Sequence, residues 1–465
     1  MKHVFAGAFA AMLLMSVVAW RWQPEESDDR IPMVWASDDN PMRREQIALF
    51  NQLNPTYRLR LDPLQGTAPM EKVIVQCLAG VGPDLFDCYD GFQLSAYVRS
   101  GIALDVTDEM AARGVYPEDA WHAVQPHIVH EGRMYGFPGN ANARGIWYNK
   151  KIFDEAGVPY PTGDWTWQDF IEIGQRMTVR NKRGQIIRFA MIGYWDWKIA
   201  LYQWGGNIFN AEGTRCTLDS PEAMEAAQFM QDLVYKYEVM PTPSQEMALS
   251  STGGWGSGTI ALFGAEKSAM AMGGRWWLCI LRNESYSNLD LGAVEIPAGP
   301  SRRIWGGGRS TLVNATGKNI EGALAFLEYM HSKAWNDLIN RQADALGPVK
   351  KYNYTDDFLF NPEHPEEDYN AVWRTALENA EPEQVSPFVN GQAVGRITIK
   401  HTDLLKANLK SGAEAMRDAA KEINKAIVET LDMDPSLHDR YRAALNSGAR
   451  PAWDSAQDAP KGFRP

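Results

Sequence analysis

The sequence predicts an α/β protein, arranged as two or three ordinary domains or as two large interleaved lobes. Three observations lead there. At 465 residues, 45% apolar and 22% charged, the chain has material for more than one core. Short apolar runs alternate with amphipathic stretches of helical length, the rhythm of strands covered by helices. No internal repeat or low-complexity tract interrupts that rhythm. The formal net charge of -12 argues against nucleic acid and against anionic membrane surfaces as partners. The 17 tryptophans are the unusual compositional feature, and rings in such number serve both packing and stacking.

The chain opens with MKHVFAGAFAAMLLMSVVAW, where Lys2 precedes an apolar run from Val4 to Trp20. That layout predicts a signal peptide or N-terminal anchor over residues 1–19, with Val17 and Ala19 forming a small-residue cleavage site. Arg21 close behind keeps the uncleaved anchor open. No cysteine follows the run, which excludes lipid attachment there, and no later segment is apolar enough to span a bilayer.

IPMVWAS then reads as a strand. Asn40 is placed to cap a helix whose first turn holds Pro41, whose inner face holds Ile47, Phe50 and Leu53, and which Asn54-Pro55 stops. YRLRLDP alternates as a second strand, and MEKVIVQCLAGVGPDLFDCYDG gives helix, turn, strand and loop. Ligands of open α/β sheets bind beyond the carboxyl ends of the strands, which marks Trp35, Asp38, Asp39, Tyr89 and Asp90. Loop carboxylates also cap helices or simply face water, so that alternative stands beside it.

Thr166 opens a helix after the Pro-rich turn of VPYPTGDW. Trp197, Leu201 and Trp204 share helical spacing, so at least two rings of YWDWKIALYQW belong to a core. SPEAMEAAQFMQDLVYKY carries the stripe Met224, Ala227, Met230 and Leu233 of a surface helix. LDLGAVEIP and IWGGGRSTLVNA read as strands and NIEGALAFLEYMHS as a helix. Leu405, Leu409, Met416, Ile423 and Ile427 predict one helix from Asp403 to Leu431, and the tail to Pro465 shows no durable pattern.

Chemical signatures are scarce. GxSxG, GxxxxGK[ST] and HExxH are absent, and the glycines of GGWGSGT lack dinucleotide spacing, so neither cofactor nor metal is indicated. HIVHEG, with His127, His130 and Glu131, reads as a surface cluster rather than a metal site. Cys77, Cys88, Cys216 and Cys279 form no CxxC. Only Cys77 and Cys88 are locally close, and buried free thiols are the reading preferred.

Several ordered motifs together resemble the extracellular solute-binding proteins of sugar-type ABC importers, the group containing maltose-binding protein. RMYGFPGNANARGIWYNKKIFDEAGVPYP followed by TWQDF is similar to that family's first crossover and the helix after it. AGVGPDLFD, QWGGNIFNAEG with LDSPEAMEAAQFMQDL, AMAMGGRW, and WGGGRSTLVNA with NIEGALAFLEYM match further segments in order, over positions 31 to 431. The resemblance implies a two-lobed periplasmic-binding-protein fold with hinge strands and a ligand cleft between the lobes. It puts lobe 1 at 31–141 and 308–352, lobe 2 at 142–307 and 353–431, and a C-terminal tail at 432–465. Crossings fall near Asn142, Gly307 and Asn353.

It further implies an exported, non-enzymatic receptor that closes about its hinge on a mono- or oligosaccharide and delivers it to ABC permease subunits, as a monomer. The cleft residues it implies are Trp35, Asp38, Asp90 and Asn140 from lobe 1, then Trp195, Asp196, Arg275 and Trp276 from lobe 2. Trp305, Gly307 and Arg309 lie at the second crossover. Trp255 and Phe388 are further rings that no motif fixes. In GGRWWLC, neighbours on an extended strand face opposite ways, so Trp276 would face the sugar and Trp277 the core. Two alternatives remain open here: a polyol, phosphorylated polyol or acidic sugar in the same fold, motivated by Arg275 and Arg309, and an exported glycosidase.

Overall fold

The computed structural model describes residues 12, 15, 16, 28–63, 70–193, 196–249, 258–455, 457–461 and 463. The expected signal or anchor lies outside them apart from three positions, and Trp195 and Trp255 lie outside them entirely. No helix among the described residues is long and apolar enough to cross a membrane.

The amino-terminal part lays down β1 (Ile31–Ala36), α1 (Arg43–Leu53), β2 (Tyr57–Asp62), β3 (Leu85–Cys88), α2 (Gly91–Arg99) and β4 (Gly136–Pro138). Asn40 does turn the chain into α1, accepting the Met42 amide on its side chain (3.0 Å) and the Arg43 amide on its carbonyl (3.0 Å). The helix starts two residues beyond Pro41 because Pro41 and Met42 are spent in that turn.

The chain continues through β5 (Asn142–Ala143), β6 (Gly145–Asn149), α3 (Trp167–Met177), β7 (Val179–Arg180), β8 (Ile186–Gly193), α4 (Trp197–Gln203), α5 (Pro221–Tyr235), β9 (Ser268–Gly273) and β10 (Leu291–Val294). Thr166 opens α3 with a reciprocal capping box to Asp169. Next come β11 (Ile304–Gly307), β12 (Ser310–Val313), α6 (Ile320–His331), α7 (Lys333–Gln342), β13 (Ala380–Glu381), α8 (Gly391–Lys406), α9 (Gly412–Met433) and α10 (His438–Asn446).

These strands make two five-stranded sheets, β2-β1-β3-β12-β4 and β10-β6-β9-β8-β7, each mixed parallel and antiparallel. A small third sheet, β13-β11-β5, takes up both segments that pass between them. The first sheet is buried on both faces, and the pleat divides its side chains. Met33, Trp35, Leu85 and Val313 meet Phe50, Phe326 and Trp335, while Ala36, Phe86, Cys88 and Leu312 meet Val73, Leu94 and Tyr97 on the other side. The core on the second sheet gathers Trp147, Phe170, Met191, Met270 and Trp277, together with Trp373 and Leu377 from the helix Asn370–Glu378.

A separate cluster joins the C-terminal helices to α4 and α5. Phe209, Leu218 and Ala227 pack against Leu405, Met416, Ile423, Ile427 and Tyr441. Two expectations are corrected here. The single helix from Asp403 to Leu431 is instead two, because Asn408 takes a left-handed φ of 57° and Ser411 starts α9 with a capping box to Glu414. The tail beyond Leu431 is folded: α10 is held by one fully buried ring, Tyr441, a signal too sparse for periodicity to show.

Candidate functional site

The carboxyl ends of β1 and β3 meet the segment after β11 in a buried ionic network. Arg43 pairs with Asp344 and with Asp38 (3.0 Å to Nε), and the Tyr89 hydroxyl donates to Asp38 (3.2 Å). The Arg309 guanidinium lies over the Trp35 ring at 4.9 Å, with carboxylates of Asp87 and Asp344 at 3.7 and 4.0 Å.

This network corrects several site expectations. Trp35 is fully buried, donates its indole N–H to Asp87 (2.9 Å) and packs on Phe326. β1 turns its face inward at that register, so the ring belongs to the core. Asn140 is a hinge brace: it donates to the Asp344 carbonyl (3.1 Å) and accepts the Arg309 amide (2.9 Å). Asp38 and Arg309 are engaged by, or packed within, the same cluster.

On the second sheet, β9 ends at Gly273, and Arg275–Trp277 is a 3-10 turn rather than extended strand. The opposite-face argument for the two tryptophans therefore does not apply. Burial still separates them: Trp277 is buried in the core, while Trp276 is half-buried beneath the Arg144 guanidinium at 5.1 Å. The glycines make room for the rings. A Cβ on Gly274 would fall 1.5 Å from the Trp276 ring, and one on Gly273 2.6 Å from Trp277. Arg275 is a structural cation, donating to Asn370 Oδ1, Ala345 O and Asn340 O at 2.9 Å each. Burial lowers its pKa to about 10.

Two cavities lie where both sheets and α8 approach. One, about 270 Å³, is lined by Asp90 and Gln93 of α2, Trp197 and Lys198 of α4, Glu383, and Gln392 at the start of α8. The other, about 160 Å³, is lined by Arg144, Asp196, Trp305 and Thr402, and it shares Trp197 and Lys198 with the first. Lys198 stands between them, 2.5 Å from Glu383 and 5.2 Å above the Trp305 ring. Burial opposes its charge, but Glu383 and Asp196 outweigh that and hold its pKa above the ordinary lysine value. The Trp305 indole N–H is buried with no hydrogen-bond partner among the described residues.

Asp90 caps α2 by accepting the Gln93 amide (2.7 Å). Burial first, and then the Glu383 charge, raise its pKa to about 6. Asp196 caps α4 and lies 3.9 Å from Arg144. Gly307 packs tightly behind Trp305, since a Cβ there would sit 3.2 Å from the imidazole of His127 and 3.4 Å from the Trp305 ring. His127 is fully buried, which corrects its assignment to a surface cluster, and burial lowers its pKa to about 4.

The structure thus places Asp90, Asp196 and Trp305 on the cavity walls, sets Trp276 behind Arg144 and Gly307 beside His127 and the Trp305 ring, and takes Trp35, Asn140, Arg275, Arg309 and Phe388 into packing or bracing roles. Phe388 packs edge-on against Tyr441. Arg144, Lys198 and Glu383 were not anticipated, and His127 was expected at the surface. Lys198 stands two residues from Asp196 and could have been found from that spacing, whereas Glu383 carries no local signal.

Two mixed sheets joined by a small hinge sheet, with charged and aromatic side chains from both converging on the space between, define a two-lobed binding protein. The bacterial extracellular solute-binding protein model matches residues 36–337, and the chain belongs to that family. A putative binding protein of Brucella abortus (strain 2308) is 24% identical over 361 residues, covering 75% of this chain and 82% of its own. An ABC substrate-binding protein from Listeria monocytogenes, solved in complex with cycloalternan, superposes with a TM-score of 0.73 at 20% identity, over 85% of this chain and 99% of that one. The maltose/maltodextrin-binding domain from Bdellovibrio bacteriovorus bound to maltotriose gives 0.66 at 20% identity, over 86% and 99%.

Proposed function

We propose that the protein is the extracytoplasmic substrate-binding component of an ABC importer, taking a mono- or oligosaccharide between lobe 1 (31–141 and 308–352) and lobe 2 (142–307 and 353–431). One observation carries this: the two cavities offer indole faces beside charges that are already paired with one another. Trp305, beside Trp197 in the smaller cavity, can stack on the apolar C–H face of a sugar ring, with Trp276 behind Arg144 as a further ring. Lys198–Glu383 and Arg144–Asp196 can exchange hydrogen bonds with hydroxyls while leaving little unbalanced charge to attract an ion. The similar Listeria and Bdellovibrio proteins hold cycloalternan and maltotriose.

An acidic ligand loses its original motive, because Arg275 is committed to three acceptors and Arg309 is buried against Trp35. The carboxylates near the cavities are held by cations or helix amides, an arrangement suited to binding rather than to glycoside cleavage. Export, delivery to permease subunits and a monomeric state complete the reading, with the N-terminal run as signal or tether. A calorimetric screen over mono- and oligosaccharides, polyols and glycerol phosphate tests it. A saccharide should bind with heat and raise the thermal midpoint. Silence toward every sugar together with a clear response to a phosphorylated polyol sinks the sugar reading.

A further inference from the structure

One short hairpin on the first lobe has an unfavourable turn. Strands Val129–His130 and Arg133–Met134 are joined by Glu131 and Gly132, both left-handed, with φ of 51° and 75°. Two-residue turns with both φ positive favour Asn-Gly or Gly-Gly, and a glutamate in the first position is sterically disfavoured. A residue kept in such a place invites a search for what it holds. The Glu131 carboxylate pairs with Arg440 of α10.

The hairpin belongs to the first lobe: Met134 lies in that core, and its amide is bonded to Thr107 (2.8 Å). Arg440 belongs to the segment fixed on the second. The neighbouring Tyr441 hydroxyl donates to the Thr214 carbonyl (2.9 Å) and accepts the Ala452 amide (2.9 Å). Its ring packs with Phe388, Trp453 and Phe463. Arg215 donates to the Pro451 carbonyl (3.1 Å) and to Asp454 (2.9 Å), fastening the chain beyond α10 as well.

Three more contacts join the same C-terminal region to the first lobe. Arg99 donates to the Pro387 carbonyl (2.7 Å), and Gln392 donates to Glu71 (2.6 Å). Gly391 lies so near Phe92 that a Cβ would come within 2.1 Å of it. Each contact crosses from one lobe to the other, and hinge opening must break them.

We propose that the C-terminal segment, from Pro387 to α10, is a latch that holds the lobes closed independently of ligand, with Glu131–Arg440 its outer catch. The proposal rests on the two-lobed hinge reading but not on the ligand's identity. A latch that raises the closed population raises apparent affinity by the same factor, since ligand then spends less on closing the lobes.

Small-angle scattering of the ligand-free full-length protein tests it, using Arg440→Glu, Glu131→Gly and the charge-swapped pair Glu131→Arg with Arg440→Glu. Half-exposed ion pairs are individually weak, so each single variant should lower the closed-to-open ratio roughly two- to fivefold and enlarge the radius of gyration. The swapped pair should restore both. Glu131→Gly relaxes the turn while removing the catch, so it should open the lobes with an undiminished thermal midpoint. The proposal is overturned if wild type and both single variants scatter alike, or if the swap fails to restore closure. Because no ligand is present, a failed sugar screen and a failed latch remain distinguishable.

Discussion

At the scale of the residue, GGRWWLC shows how one short stretch divides between binding and folding. Trp276 is half-buried beneath Arg144, itself a wall of the smaller cavity, while Trp277 fills the core and Arg275 braces three acceptors from the segment Asn340–Asn370. Trp276→Ala should therefore abolish saccharide binding in calorimetry with little change in thermal midpoint. Trp277→Ala should cost about 3–5 kcal/mol of stability and leave the affinity of the folded fraction near wild type. Arg275→Ala should resemble Trp277→Ala, losing about 2–4 kcal/mol because buried acceptors are left unpaired. Comparable affinity loss for all three, measured on folded protein, would contradict the division. The division of the motif between core and partly exposed ring was not legible in the sequence. Opposite facing follows only from strand geometry, and the chain leaves β9 at Gly273 and turns through Gly274 into a 3-10 helix at Arg275.

At the scale of the element, helix caps and the hinge sheet carry the titrating groups. Asp90 caps α2 with its carboxyl raised to about 6, from an unfolded value near 3.8, by burial and by Glu383. Its protonated form favours the folded state, a contribution fully present below pH 3.8 and lost as pH rises through 6. His127, beside β11, has its value lowered from 6.5 to about 4 by burial. The fold therefore prefers it neutral, and stability falls as pH drops from 6.5 toward 4. Asp90→Asn, which keeps an acceptor for the Gln93 amide, should gain about 1–2 kcal/mol at pH 7.5 and nothing below pH 4. His127→Phe should flatten the acid limb between pH 6.5 and 4. Urea unfolding across pH reads both slopes, and parallel profiles for wild type and variants would refute the assignments. Most elements were legible from caps and periodicity: Asn40, Thr166 and the stripe of α5 each predicted a helix that forms. The break between α8 and α9 was written in SGAE, residues Ser411 to Glu414, but the apolar spacing on either side runs through it and conceals the cap.

At the scale of the whole molecule, two sheet-centred lobes, a hinge sheet and a C-terminal cluster are held by packing, hydrogen bonds and ion pairs, with no disulfide. Cys77, Cys88, Cys216 and Cys279 are all free and buried, and burial raises the thiol pKa of Cys77 to about 11 and of Cys216 and Cys279 to about 12. A reductant should thus leave the thermal midpoint unchanged, and alkylation should reach these thiols only after unfolding. A midpoint lowered by dithiothreitol would show a disulfide where the structure has none. The sequence by itself determined the α/β class, most helices and strands, and the ordered motifs that relate the chain to solute-binding proteins. Those features depend on local propensity and on periodicity, both readable within ten or twenty residues. Tertiary structure alone decided that Trp305 lines a cavity while Trp35 is core, that Arg309 is sealed over Trp35, and that Glu383 meets Lys198 across 185 positions. It also decided that Arg440 of α10 reaches Glu131, 309 positions away. Such pairs arise from how the sheets are docked and how the C-terminal helices are laid across them. Nothing in local spacing encodes that docking, because it follows from the burial of whole faces at once.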